Sequence, residues 1–343
     1  MFTLPADPAR FLAFEQVLDS HHDDHDDDHD GDDHEDGGLP PPTVSFLTTA
    51  TDTVTGGAGK DVFVATTGTL TTGDSIDGGG GPNVLQLQGA GAFDLNLFAS
   101  LTDVRLVKGD DSGQQVTMRD GANLMFVGGS GDDTITGGTG NSVIVGGAGN
   151  DVITGGSGRE ILVGGAGDDT ITAGSGQTCA WLGSGHNSFQ GGAGTDLVFA
   201  RDGTDVITAG TGQLIVQAGS GDATVTGGAG GDLVFTGSGT LHFTAGAAGD
   251  TVVVGRGDAD IALGAGADVL RVGFGHGSAT VTGFTHGSDK IDLSLFHLPS
   301  FAVLQACADL SANADGNIVL TAPGCMTLTL VGVASVTADD FTL

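Results

Sequence analysis

The chain has 343 residues, 64 of them glycine, with no tyrosine, one tryptophan and a formal net charge of −33. Glycine at this level works against a conventional core, because each ordered glycine gives up extra backbone entropy. So anionic a surface excludes nucleic acid and acidic membranes as partners and favours cations, and no apolar run is long enough for a membrane span.

In chain order, residues 5–20 read as one short amphipathic helix: Asp7 caps it, Pro8 suits its first turn, and Phe11, Phe14 and Leu18 share a face. This stretch has no basic region followed by an apolar run, so a Sec-type signal peptide is not expected. Residues 21–38 (HHDDHDDDHDGDDHEDGG) contain no apolar side chain and lead to Pro40, Pro41 and Pro42. Residues 21–42 are therefore expected to be an acidic disordered linker. Its His21, His22, His25, His29 and His34 make it a candidate metal-buffering tract, beside the plainer reading of a solvated spacer.

Residues 43–127 are predicted to be an irregular β region with two isolated nine-residue copies, GGAGKDVFV (56–64) and GGGGPNVLQ (78–86). From Gly128 to Arg271 the same unit then repeats sixteen times with no insertion or deletion; the first reads GGSGDDTIT and the fifth GGAGDDTIT. Position 2 is Gly except at Arg201, position 4 is Gly except at Ala248, and position 8 is apolar from Ile135 to Leu270. A fixed period of this length makes the fold one unit stacked on itself. Positions 1–6 form a turn and positions 7–9 a short strand, with position 8 inward and positions 7 and 9 outward. Two units make a coil, and eight coils a rod of roughly 35–40 Å. A degenerate unit, VGFGHGSAT, ends the predicted roll at residue 280, and 281–343 alternates like ordinary strands.

One inward side chain per strand is a thin core, so the turns need another source of stability. Aspartate at position 6 is the candidate. Stacking brings each such carboxylate near the one a coil away, and like charges there require a hard cation between them. Carboxylate plus turn carbonyl oxygen is a calcium-type ligand set. In the odd units position 6 is Asp133, Asp151, Asp169, Asn187 and Asp205, then apolar; in the even units it is Ser142, Glu160, Thr178, Asp196 and Leu214, then Asp232, Asp250 and Asp268. The two uninterrupted triplets predict that calcium changes sides along the rod. Asn187, Asp196 and Asp205 are further candidates, as is Asp61 in the isolated copy.

The repeat G-G-x-G-x-D-x-U-x, with U apolar, resembles the hemolysin-type calcium-binding repeat of RTX proteins, strongly over 128–280 and weakly over 56–86. The resemblance implies an all-β fold, a right-handed parallel β-roll (β-solenoid) with Ca2+ in its turns. VTGFTHGSDKIDLSLF (281–296) is similar to the segment that closes the roll in serralysin-type proteins. The acidic-then-apolar stretch Asp340-Phe341-Thr342-Leu343 is similar to the terminus of type I exporter substrates. What this implies is a secreted, extracellular protein, possible cell-surface association included, that stays unfolded in a calcium-poor cytosol.

The outward positions carry a second pattern. In the even units thirteen of sixteen are apolar, among them Val143, Ile161, Trp181, Leu197, Phe199, Leu233 and Phe235; in the odd units only three are, and threonine dominates. An apolar sheet face of this size is expected to be covered, by 43–127 with the N-terminal helix, by the C-terminal segment, or by another chain through self-association. The threonine face also resembles ice-binding surfaces, but Val152, Ser188, Gln190 and Val206 interrupt it.

No zincin, nucleophile-elbow or phosphate-loop motif occurs. Arg256-Gly257-Asp258 falls in a repeat turn where Gly257 is already required. Of the three cysteines, Cys307 and Cys325 either pair or stay as isolated thiols. The expectation is a non-enzymatic calcium-binding roll with a structural or adhesive role, such as a matrix or surface-layer component. The alternatives are an unrecognised enzyme in 43–127, or an accessory or metal-buffering protein.

Overall fold

The computed structural model describes residues 43–273, 275, 277–321 and 327–343. The predicted helix, the acidic linker and Cys325 lie outside these residues. The chain winds as a parallel β-solenoid whose alternate strands fall into two long sheets, one of 15 and one of 14 strands, with a separate three-stranded sheet near the start. The even-unit strands build the first sheet, where Val143 pairs with Ile161, Ile161 with Cys179 and Cys179 with Leu197. The odd-unit strands build the second, where Thr134 pairs with Val152, Val152 with Thr170 and Thr170 with Ser188. Each partner is 18 residues on, so two units make one coil, as the repeat requires.

All sixteen position-8 residues point inward. Ile135, Ile144, Ile153 and Leu162 are wholly buried, and the bulkiest, Phe189 and Phe243, nearly so. The outward odd positions meet solvent, as at Val152 and Val206. Trp181 and Phe199, neighbours on the outer face of the even sheet, stack with ring centroids 5.3 Å apart.

Three features differ from the sequence expectation. First, the roll does not begin at 128. Strands Thr43–Phe46, Asp61–Thr66, Asn83–Gln88 and Val104–Lys108 pair in parallel within the even sheet and join the array through Met125–Val127. Val62 pairs with Val84 and Leu85 with Val107, so these coils are longer than the later ones. Their repeat signal is diluted because extra residues loop out between strands that still stack.

Second, three even-unit strands run seven residues, at Ser142–Ala148, Glu160–Ala166 and Thr178–Ser184. They continue through the glycines of the following turn, and Gly147 pairs with Gly165 and Gly165 with Gly183. Gly147 and Gly165 take φ of +124° and +128°, a region other residues rarely occupy. A Cβ on Gly147 would also run into the Gly129 carbonyl oxygen. Glycine here lets coils approach backbone to backbone.

Third, the closing segment is a composite. Thr327–Leu330 extends the odd sheet in parallel, and the hairpin strands Asp309–Ala312 and Ile318–Thr321 pair antiparallel beyond it. A short helix, Phe301–Cys307, is N-capped by Ser300. Phe341 and Thr342 pair with Ile291 and Asp292, placing Phe341 against Phe301 at 5.2 Å between centroids. Asp340 is fully buried here and accepts the Thr337 N–H at 2.7 Å and the Gly287 N–H at 3.2 Å, with His286 Nδ1 2.8 Å away.

Candidate calcium centre

Position 6 sits where a turn enters its strand, so alternation turns its side chain inward, beneath the turn. Asp133, Asp151 and Asp169 are each only 1 % exposed. Along this column the Asp133 N–H donates to Asp151 Oδ1 at 2.8 Å, and the Asp151 N–H donates to Asp169 Oδ1 at 2.9 Å. The Asp169 N–H donates to Asn187 Oδ1 at 3.0 Å, and Asn187 Nδ2 to Asp205 Oδ1 at 3.0 Å. One chain of hydrogen bonds thus links five successive coils.

The second oxygen is the telling one. Oδ2 of Asp133, Asp151 and Asp169 is buried and makes no hydrogen bond. A buried carboxylate oxygen without a partner is strongly destabilising. Burial, reinforced by the neighbouring Asp169 and Asp133 charges, raises the Asp151 carboxyl to about 7 against the pull of the Asp133 N–H. Burial likewise raises Asp133 and Asp169. Asp133 is intermediate in geometry, since the Gly129 amide faces its carboxylate without closing a hydrogen bond to Oδ2.

The even column is built differently. Asp232, Asp250 and Asp268 are also buried, but each has both oxygens engaged. Oδ1 of Asp232 accepts from Leu214 N–H at 2.9 Å, that of Asp250 from Asp232 N–H at 2.7 Å, and that of Asp268 from Asp250 N–H at 2.8 Å. Oδ2 of each accepts from its own turn: Gly228 N–H at 2.9 Å, Gly246 N–H at 2.9 Å and Gly264 N–H at 3.2 Å. Asp289, one coil further, continues the column with the same two contacts, from Asp268 N–H at 3.0 Å and Thr285 N–H at 2.7 Å.

The remaining candidates fall between. Asp61 is buried, accepts from Gly57 N–H at 2.7 Å, and takes the Thr43 hydroxyl on its other oxygen. Asp196 accepts from Gly192 N–H at 2.8 Å and leaves Oδ1 unpaired; the Thr178 hydroxyl lies beside it, also without a completed bond. Glu160 accepts from Gly156 N–H at 2.6 Å and leaves Oε2 unpaired. Asp205 is held by Asn187, and burial raises it to about 6.

Position 5, which the position-6 pattern does not single out, carries a second ladder. Asn150 N–H donates to Asp132 Oδ1 at 2.6 Å, Asp168 N–H to Asn150 Oδ1 at 2.8 Å, and His186 N–H to Asp168 Oδ1 at 2.7 Å. These exposed side chains form an outer ladder beside the buried one. The signal was legible: turns 128–133, 146–151 and 164–169 carry Asp or Asn at positions 5 and 6 together, whereas 227–232, 245–250 and 263–268 carry Gly or Ala at position 5.

Among the described residues no three His, Cys, Asp or Glu side chains converge on one point. A cation at Asp151 or Asp169 would draw its other ligands from turn carbonyl oxygens, which suits calcium, a hard ion that accepts many oxygen ligands. The orphaned, buried Oδ2 atoms fit that ion.

The family model of the RTX calcium-binding nonapeptide repeat (4 copies) matches residues 48–69, 127–159, 154–177, 181–213 and 215–240. The chain is also similar to the solved structure of a hyperactive, Ca2+-dependent, β-helical antifreeze protein from an Antarctic bacterium, at 13 % identity. That match covers 72 % of this chain and 86 % of the other, with a TM-score of 0.33. No curated protein matches the chain. From the sixteen-fold nonapeptide, the parallel solenoid it forms and the matched repeats, this chain carries RTX calcium-binding nonapeptide repeats wound as a β-roll, and calcium is the ion such repeats take.

Proposed function

We propose that this chain is an extracellular structural or adhesive element, exported by a type I system, whose fold is completed by the calcium it meets outside. The observation that carries the reading is the buried ladder Asp133–Asp151–Asp169, whose free carboxylate oxygens have no partner in the roll at neutral pH unless a cation supplies one. With a net charge of −33, the chain resists compaction where calcium is scarce. Binding to the folded state alone then converts calcium affinity into folding free energy. The work proposed is non-catalytic: the buried titratable groups described above sit beneath turns rather than in an open cleft.

A calcium titration of the full chain, followed by far-ultraviolet circular dichroism, tests this. The reading expects β-structure to increase with calcium, at an affinity on the order of 10⁻⁴–10⁻³ M. An identical spectrum in chelator and in calcium would reject it.

Self-association through the even-sheet outer face is the proposed means of assembly. Its support is the half-buried apolar run Val143, Ile161, Leu197, Phe199, Leu233 and Phe235, which surrounds a buried Trp181 stacked on Phe199. Light scattering in calcium should show an assembly that Leu197→Asp dissolves; a strictly monomeric wild type would remove this element of the reading. Among the described residues no helix is long and apolar enough to cross a membrane.

A further inference from the structure

The two aspartate triplets look equivalent in sequence, yet the structure completes one and leaves the other incomplete. We infer that calcium is confined to the half of the roll around Asp133, Asp151 and Asp169, and that the Asp232–Asp250–Asp268–Asp289 column is a metal-independent spine held by backbone N–H groups. The inference rests on the calcium reading above.

Three features support the division. The first is satisfaction. Every member of the later column receives two N–H donors, one on each carboxylate oxygen. Two such donors offset part of the cost of burying each charge, although burial still leaves the Asp250 and Asp268 carboxyls above their ordinary value. Asp151 and Asp169 receive one donor each and keep a buried Oδ2 with no partner.

The second is the turn backbone. Gly147, Gly149, Gly165 and Gly167 have positive φ, while Gly228, Gly246 and Gly264 do not. In the later turns the position-2 amide points at its own carboxylate, as the Gly228–Asp232 bond shows. In the turns before Asp151 and Asp169, though not in the one before Asp133, the glycine segment is drawn into strand pairing, Gly147 with Gly165, and no position-2 amide reaches Oδ2 of Asp151 or Asp169. A cation bound in the later column would have to share oxygens that each already accept an N–H. In the earlier column it replaces none.

The third is the outer ladder. Asp132, Asn150 and Asp168 hold the earlier turns in register from outside. The corresponding residues of the later turns, Gly231, Gly249 and Ala267, have no side chain that can do this, so there the inward aspartates supply the stitching between coils. Asp268 also joins the closing segment through Asp289, so the spine is continuous with the composite end of the roll. The resulting picture is a chain with two folding regimes: a C-terminal half able to fold without metal, and an earlier half that closes on it when calcium arrives.

Calcium titration calorimetry on the full chain, with two paired variants, tests the division. Asp151→Asn with Asp169→Asn should abolish the tightest sites or weaken them at least tenfold. Asp250→Asn with Asp268→Asn should leave their number unchanged. Equal loss of sites in both variants would overturn the inference while leaving the calcium reading intact, whereas a wild type that binds no calcium would defeat that reading itself. Amide exchange of the wild type covers the case of a variant that fails to fold. In chelator, amides around Val252, Leu270 and Ile291 should stay protected while those around Ile153 and Ile171 exchange freely. Loss of protection in both halves together would overturn the inference.

Discussion

The backbone N–H of Asp133 donates to Oδ1 of Asp151 at 2.8 Å, while Oδ2 of the same carboxylate is buried and unpaired. One oxygen thus sets the register between coils, and the other is left free for the cation proposed above. Five predictions follow from this arrangement and from the packing around it.

The metal-free roll should be more stable in mild acid than at neutral pH. The Asp151 carboxyl is raised from 3.8 to about 7, so the folded state binds more protons than the unfolded state between those values. The stability this group contributes is complete below about pH 4 and is lost as pH rises through about 7. Thermal unfolding in chelator at pH 5 and pH 8 checks this: the transition should lie higher at pH 5. Calcium should flatten or reverse the difference, because it requires the charged form.

Asp151→Asn should act with opposite signs in the two conditions. Without calcium it removes a buried charge and keeps the acceptor for Asp133, so it should stabilise by on the order of 2 kcal/mol at pH 8. In calcium it should destabilise, having lost an anionic ligand. Chemical denaturation in both conditions reads the crossover, and the same sign in both would count against the ligand role.

Phe189→Ala should cost roughly 3–5 kcal/mol, since Phe189 is among the largest fully buried side chains, 1 % exposed. In a solenoid each coil contacts only its neighbours, so the damage should be local. Exchange should accelerate at Ile171 and Ile207, its column neighbours, well before it does at Leu270.

Asp340→Ala should loosen the closing segment. Burial works against the charged form of Asp340, but the Thr337 and Gly287 N–H groups and His286 together hold its carboxyl below the ordinary value. Stability from this group is therefore present above about pH 4 and lost as pH falls. Removing it leaves those donors without their acceptor, a cost of about 1–3 kcal/mol. Limited proteolysis between 286 and 343 measures the opening, and an unchanged cleavage rate would contradict the capping role.

Gly147→Ala should block calcium-dependent folding of the earlier half. The residue has φ of +124°, and its new methyl would meet the Gly129 carbonyl oxygen. Strain of this kind amounts to about 1–3 kcal/mol before the clash is counted. Calcium-induced dichroism should fall, with the C-terminal half still folded.

Much of this was legible in the sequence because a repeat reports itself many times. The period of nine placed Ile135, Phe189 and Leu270 inside, and the position-6 column placed Asp133, Asp151 and Asp169 on one side. Where the period stretches, the legibility ends. The coils through Val62, Val84 and Val107 belong to the same sheet, but their spacing varies and single copies cannot establish a register. The difference between the two triplets was also hidden, because it depends on how the glycines before each aspartate turn their amides. Asp132 and Asn150 at position 5 carried the clue, but only stacking shows that such residues clasp the next coil.

The most direct measurement is a crystal structure at calcium saturation with an anomalous difference map. The account predicts calcium peaks beside Oδ2 of Asp151 and Asp169, with turn carbonyl oxygens completing each shell. Featureless density there, in a roll that is nonetheless folded, would contradict it.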